Sequence, residues 1–146
     1  MAITQELHDK AIAGIIKQQF TFPNGEVVPG TFHPTWAAYS NSPKRQMPVQ
    51  HRYMGDLYPD IVISDTARCN TPRLIAEVET EESLNLDTMA KKWRPNQDEC
   101  RALYIFVPEG HALRAADLIL EYRIAFHSAT FTYGFDEKGE VRLTLV

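Results

Sequence analysis

The segment that most constrains the fold of this chain is an uninterrupted apolar run at residues 102–107, Ala-Leu-Tyr-Ile-Phe-Val. A strand without polar positions is typical of the centre of a sheet, where both faces are covered. Apolar residues recur at helical spacing on either side of it, over residues 80–95 and 110–126. The pattern therefore predicts an α/β protein with a mixed central sheet flanked by helices.

The rest of the chain supplies a first helix and further strands. A helix is predicted over residues 3–19, with Thr4 as its N-cap. Strands are predicted at residues 57–63 and 74–80, joined by a connection short enough for an antiparallel pair. A hairpin is expected at residues 20–28 around Asn24-Gly25, little regular structure at 29–50, and a C-terminal hairpin at 130–135 and 141–146.

Length and composition favour a single cytoplasmic domain spanning residues 1–146. No apolar run reaches the ~18 residues of a membrane span, so no membrane association is expected. Cys69 and Cys100 lie in no metal-binding spacing, which favours free thiols in a reducing compartment. The formal net charge of -4 argues against a protein that coats nucleic acid by charge alone.

Carboxylates interrupt the two strands predicted to pair. Asp60 follows Pro59 on the first strand, and Glu77 and Glu79 share one face of the second because side chains alternate along a strand. Carboxylates this close repel one another unless a cation lies between them. If the strands are antiparallel neighbours, Asp60 and Glu77 can hold Mg²⁺ or Mn²⁺.

Simpler interpretations of these residues stay open. Asp60 after Pro59 also fits an ordinary turn before a strand, and an arginine such as Arg73 or Arg52 could neutralise Glu77. In that case the acids would form a structural metal site or an ion-pair network.

The segments Pro59-Asp60 and Glu77-Val78-Glu79, followed by a helix and an apolar strand, resemble the PD-(D/E)xK nuclease superfamily. The predicted order of elements also fits the αβββαβ core of its restriction-endonuclease-like fold. The resemblance implies an endonuclease that uses Mg²⁺ or Mn²⁺ to hydrolyse phosphodiester bonds of DNA, and less readily of RNA. Superfamily members often form homodimers to address two strands.

The resemblance also implies roles for individual residues. Asp60 and Glu77 would bind the metal, helped by the Val78 carbonyl, and Glu6 matches an extra acidic ligand found on the first helix of some members. The lysine usually present two residues after the motif glutamate is Glu79 here, which would assist the metal or the attacking water. A lysine on the following helix could replace the missing one and contact the scissile phosphate; the candidates are Lys91 and Lys92. Both also fit a solvated face near a helix C-terminus.

Basic and aromatic residues between Thr31 and Arg52 are the candidate nucleic-acid contact. The residues proposed are Lys44, Arg45, Arg52 and Trp36. The missing motif lysine and the acidic net charge support an alternative function for the same fold. In that alternative the domain is catalytically inactive and serves as a nucleic-acid-binding or protein-interaction subunit.

Overall fold

A computed structural model describes residues 2–20, 35–100, 102–124 and 127–146. Its centre is a six-stranded sheet of order β1-β4-β5-β6-β7-β8, beside a separate β2-β3 pair. β5, β6 and β7 run parallel, and the remaining neighbours are antiparallel, which confirms the predicted mixed α/β class. The strands are β1 (Trp36–Ser40), β2 (Val49–His51), β3 (Gly55–Leu57), β4 (Ile61–Asp65), β5 (Thr71–Val78), β6 (Leu103–Pro108), β7 (His127–Phe135) and β8 (Val141–Leu145).

Helices cover both faces of the sheet. The α-helices are α1 (Gln5–Gln19), α2 (Leu86–Thr88), α3 (Arg94–Glu99) and α4 (Ala112–Tyr122). A 3-10 turn (Thr66–Arg68) follows β4, and a π turn (Met89–Trp93) joins α2 to α3. None of the described helices is long and apolar enough to cross a membrane.

The buried strand β6 explains why the apolar run at residues 102–107 has no polar positions. Tyr104 and Phe106 pack into the core that contains α1, whereas Leu103, Ile105 and Val107 pack into the core beneath α4 and the π turn. Both faces of β6 are therefore covered, as expected for a strand with this pattern.

Helix α1 begins as predicted. The Thr4 hydroxyl accepts a hydrogen bond from the Leu7 amide at 3.2 Å and caps the helix. Ala11, Ile12 and Ile15 are buried against the sheet. The α1 face that touches the sheet therefore continues towards the N-terminus through the position one turn before Ala11 and Ile12, which is His8.

The helix expected to stop near Pro95 continues to Glu99, so that prediction is wrong. Proline has no N–H, and its ring collides with the carbonyl four residues earlier in a regular α-helix. Here the π turn precedes it, and the Arg94 amide bonds to the Met89 carbonyl five residues back. This wider turn accommodates Pro95 inside a continuous helical segment.

Two further predictions need correction. Within the described part of the stretch at residues 29–50, the chain forms β1 and begins β2. The Asn41 side chain helps to position them: it accepts hydrogen bonds from the Gln46 and Met47 amides and donates to the Met47 and Pro59 carbonyls. The strand expected at residues 57–63 is divided, because β3 ends at Leu57 and β4 begins at Ile61. The hairpin predicted at residues 20–28 lies almost wholly outside the described residues.

Candidate functional site

The antiparallel pairing of β4 with β5 brings the predicted carboxylates together. Ile61 lies opposite Ala76, which places Asp60, immediately before β4, beside Glu77. Glu79 follows the end of β5 on the same side. One carboxylate oxygen from each of the three residues lies within 4.8 Å of the other two. Among the described residues, this carboxylate cluster is the one group of three or more acidic, histidine or cysteine side chains arranged so closely.

Two main-chain hydrogen bonds fix the first two carboxylates. The Asp60 amide donates to Glu77 Oε1 at 2.9 Å, and the Val78 amide donates to Asp60 Oδ2 at 2.8 Å. Neither arginine suggested from the sequence is the partner of Glu77. Arg52 pairs with Glu99, and the Arg73 guanidinium lies over the Trp36 ring.

Glu79 has a well-bonded backbone, but its carboxylate has only an ion pair, with Lys92 Nζ 3.8 Å from Oε1. Its amide donates to the Phe106 carbonyl at 2.8 Å, and its carbonyl accepts from the Tyr133 hydroxyl at 2.5 Å. The residue has no solvent exposure, yet neither carboxylate oxygen has a hydrogen-bond partner among the described residues. Burying a carboxylate in this way is costly unless a cation compensates it.

The same arrangement raises the proton affinity of the cluster. Burial, followed by the charges of Asp60 and Glu79, raises the pKa of Glu77 well above its ordinary value. Burial also raises the pKa of Glu79 to about 7, against the opposing effect of the Lys92 charge. Without a divalent cation, Glu77 and Glu79 therefore bind a proton more readily than an exposed glutamate does.

The donor set fits a hard divalent cation. Carboxylate oxygens are the ligands that Mg²⁺ and Mn²⁺ prefer in proteins. The carboxylate of Glu79, buried without a hydrogen bond, has the charge and coordination capacity for a metal ion. Asp60, Glu77 and Glu79 are the residues that could hold it.

The structure separates the two candidate lysines. Lys92 Nζ lies 3.8 Å from Glu79 Oε1, whereas Lys91 Nζ lies 3.1 Å from Asp87 Oδ1 on the exposed side of the helix. Burial alone would lower the pKa of Lys92, but the charges of Glu79 and Glu77 raise it above its ordinary value. Lys92 is therefore a protonated lysine beside the cluster.

On α1 the structure brings His8, and not Glu6, to the cluster. Glu6 is exposed and lies outside the carboxylate cluster. His8 Nε2 lies 2.7 Å from the Val78 carbonyl oxygen and 3.5 Å from Asp60 Oδ2. Burial alone would lower the pKa of His8, but the hydrogen bond and charge of Asp60 raise it. The sequence signal was a polar residue one turn before Ala11, on the apolar face of the helix.

The four predicted nucleic-acid contacts lie in different environments. Lys44 and Arg45 are exposed, and the Arg45 guanidinium carbon lies 4.2 Å from the centroid of the Tyr58 ring. Arg52 Nε lies 3.0 Å from Glu99 Oε1, so its charge is already paired. Trp36 is half-buried opposite Asp65, at the end of β4 remote from the carboxylate cluster.

The site also borders a small cavity of about 80 Å³. Its walls include Tyr58, Asp60, Glu77, Lys91 and Lys92. Acidic and basic side chains thus face the same space, an arrangement suited to an anion held next to a metal ion. Comparisons of the chain with protein-family models, curated proteins and solved structures found no significant match.

Proposed function

We propose that this chain is a divalent-metal-dependent nuclease that hydrolyses phosphodiester bonds of DNA, and less readily of RNA. The observation that carries the proposal is the fully buried Glu79 carboxylate, which has no hydrogen bond and lies beside Asp60 and Glu77. Three carboxylates are brought together here, and Lys92 supplies a single positive charge beside them, so a purely structural role leaves like charges buried together. The arrangement becomes favourable when a cation binds.

The order of elements supports the restriction-endonuclease-like fold for this domain. Helix α1, the adjacent strands β1, β4 and β5, the α2–α3 segment and β6 follow one another as in an αβββαβ core. In this proposal β2 and β3 form an insertion, and β7 and β8 extend the sheet. The carboxylates then lie where the PD-(D/E)xK motif carries them.

In the proposed site, Asp60 and Glu77 hold Mg²⁺ or Mn²⁺, with Glu79 and the Val78 carbonyl as additional oxygen donors. When bound, such a cation lowers the pKa of a water molecule and offsets negative charge on the phosphate. The hydrogen bonds from the Asp60 and Val78 amides orient the two ligand carboxylates beforehand. His8 contacts both Asp60 and the Val78 carbonyl, so it can position these ligands.

In the proposed site, Glu79 and Lys92 together replace the missing motif lysine. One Glu79 carboxylate oxygen lies within 4.8 Å of oxygens of both Asp60 and Glu77, so this carboxylate can orient the attacking water beside the metal. The Lys92 ammonium lies in the cavity wall and can offset charge on the phosphate. Lys91 faces Asp87 and has no such role.

The test is cleavage of plasmid and branched DNA with Mg²⁺, with Mn²⁺, and with a chelator. Asp60→Asn combined with Glu77→Gln keeps the side-chain shapes and removes both charges. Because loss of groups that merely orient metal ligands costs 10–100-fold, loss of the ligands should lower the rate by at least about 100-fold. Lys92→Ala should lower it by about tenfold or more, while Lys91→Ala, the matched control, should leave it within about twofold. Metal-dependent cleavage that survives the double substitution would refute the proposal.

The inactive nucleic-acid-binding or protein-interaction subunit is the second candidate. It is favoured by Glu79 at the motif lysine position and by the contact of Lys92 with that carboxylate. Metal-independent DNA binding, with no cleavage in any metal, would support it over the nuclease.

A further inference from the structure

The cavity beside the carboxylate cluster has an aromatic rim that metal binding does not explain. Tyr58 lies two residues before Asp60 and lines the same cavity as Glu77 and the two lysines. Its side chain remains 38% exposed, so part of the ring is open to solvent. A ring in this position can contact a ligand that enters the cavity.

Tyr58 forms a stacked platform with Arg45. The guanidinium carbon of Arg45 lies 4.2 Å from the ring centroid, which is close for a cation–π pair. In the described part of the chain Arg45 has no carboxylate partner, and its side chain is exposed. The platform therefore combines two planar groups with a positive charge.

The platform is held in place by a buried side chain. Asn41 donates to the Pro59 carbonyl at 2.7 Å, next to Tyr58, and accepts from the Gln46 amide at 2.8 Å, next to Arg45. One asparagine thus links the segments that carry the two platform residues. Prior organisation of this kind lowers the entropy lost when a ligand binds.

The chemistry of the platform matches a nucleobase with a free face. Bases stack on aromatic rings and on arginine planes. Within a duplex, neighbouring bases already cover both faces of each base, so stacking there requires one of them to leave. An unpaired base has no such cost, and Lys92 in the wall of the same cavity suits the phosphate that follows it.

We infer that an unpaired nucleotide of a polynucleotide strand binds at the mouth of the cavity, with its base on the Tyr58–Arg45 platform outside the cavity and its phosphate beside Lys92. This inference rests on the proposed function, since it takes the cavity to receive a nucleic-acid strand. It assigns single-stranded or tailed nucleic acid, and not blunt duplex, as the preferred substrate. The 2′-hydroxyl does not enter the stacking, so DNA and RNA strands share this chemistry.

The experiment measures binding apart from cleavage. Fluorescence anisotropy in a chelating buffer at fixed low salt would compare a short labelled DNA strand, the RNA strand of the same sequence and the blunt DNA duplex. Tyr58→Leu removes the ring, Tyr58→Phe keeps it, and Arg45→Lys keeps the charge without the plane. Tyr53→Leu is the matched control, because Tyr53 is 88% exposed on the β2-β3 turn and does not line the cavity. Thermal unfolding of each variant checks that it is folded.

The single strand should bind at least about tenfold more tightly than the blunt duplex, and Tyr58→Leu and Arg45→Lys should each lose about tenfold. Tyr58→Phe and Tyr53→Leu should stay within about twofold. The salt dependence should not change in Tyr58→Leu, since no charge is removed. Similar or unequal affinities for the DNA and RNA strands both agree with the inference, and the tighter one identifies the polymer.

Equal or tighter binding of the blunt duplex, no binding of any strand, or full affinity in a folded Tyr58→Leu would overturn the inference. These outcomes are distinct from failure of the proposed function. A protein that stacks single strands through Tyr58 but never cleaves them would overturn the nuclease alone. One that cleaves plasmid DNA without needing Tyr58 would overturn this inference alone.

Discussion

Two buried polar groups on neighbouring parts of the fold have opposite surroundings. His51, at the end of β2, is satisfied on both ring nitrogens: Nδ1 accepts from the Tyr53 and Met54 amides at 3.1 and 3.0 Å, and Nε2 lies 3.0 Å from Asp98 Oδ2. The Glu79 carboxylate has no hydrogen bond among the described residues and lies beside other acids.

The difference distinguishes a group with a structural role from one that the proposed metal site would use. Two amides must donate to His51 Nδ1, so the ring proton is on Nε2 and points to Asp98. Every polar atom of that ring is used, as is usual for buried polar groups that stabilise a fold. Glu79 departs from the rule where the proposed metal would bind, which is the kind of departure expected at a functional site.

Replacing His51, the hydrogen-bonded group, should cause the largest change in the free energy of unfolding. His51→Leu would leave the Tyr53 and Met54 amides without an acceptor, and each such loss costs about 1–3 kcal/mol. We expect a loss of about 3 kcal/mol in the free energy of unfolding, measured by urea denaturation of the metal-free protein. His51→Asn is the control, because its amide oxygen can still accept from the two amides, and it should lose less. If His51→Leu changes the free energy of unfolding by less than about 0.5 kcal/mol, the hydrogen bonds of His51 do not stabilise the fold and the contrast with Glu79 fails.

Neutralising Glu79 should stabilise the fold, whereas replacing His51 should destabilise it. Burial raises the pKa of the Glu79 carboxyl group to about 7, so at pH 8 and with a chelator present this group is mostly charged. Glu79→Gln removes that buried charge. A shift of one pKa unit corresponds to about 1.4 kcal/mol. After the cost of burying the new amide is subtracted, we expect the free energy of unfolding to rise by about 2 kcal/mol. Glu82→Gln, at an exposed acid on the next turn, should change it by less than about 0.5 kcal/mol. A strong loss of stability in Glu79→Gln would show that the ion pair with Lys92 outweighs the cost of burying the carboxylate.

A change of pH should have a smaller effect on the free energy of unfolding. Glu79 has a pKa of about 7 in the folded protein and 4.5 ordinarily, so the folded state binds the proton more tightly than the unfolded state does. Protonation therefore stabilises the fold, and the free energy of unfolding of the chelated protein should rise by about 1 kcal/mol as the pH falls from 8 to 6. The raised pKa of His8 acts in the same direction. Denaturant titrations at several pH values would measure this change, and it should shrink in Glu79→Gln. A flat or falling profile in the parent chain would contradict it.

The sequence predicted those parts of the fold that depend on local pattern. The Thr4 cap and the apolar run of β6 follow from neighbouring residues, and both are present in the structure. Strand β1 was not predicted, because the flanking prolines Pro34 and Pro43 break the local pattern. Its extended conformation depends on pairing with β4, which is distant in the sequence. Its neighbour Asn41 acts through the distant Pro59 carbonyl, a contact without a signal in the local sequence.

The candidate site was predicted in part for the same reason. Alternation along a strand was enough to put Glu77 and Glu79 on one face. The choice of Lys92 over Lys91 depends on the rotation of the π turn, and that of His8 over Glu6 depends on which face of α1 touches the sheet. Both are tertiary features, so the sequence could only offer a set of candidates.

The most direct test of the proposed metal site is calorimetric titration of the chelator-free protein with Mn²⁺ and Mg²⁺ at pH 7.5. The parent chain should bind metal at the carboxylate cluster with release of protons, because the pKa values of Glu77 and Glu79 are raised. Proton release is measured by repeating the titration in buffers of different ionisation enthalpy. Asp60→Asn with Glu77→Gln should abolish binding, and Glu82→Gln should not alter it. Absence of metal binding to the parent chain, or equal binding to the double variant, would contradict the metal site.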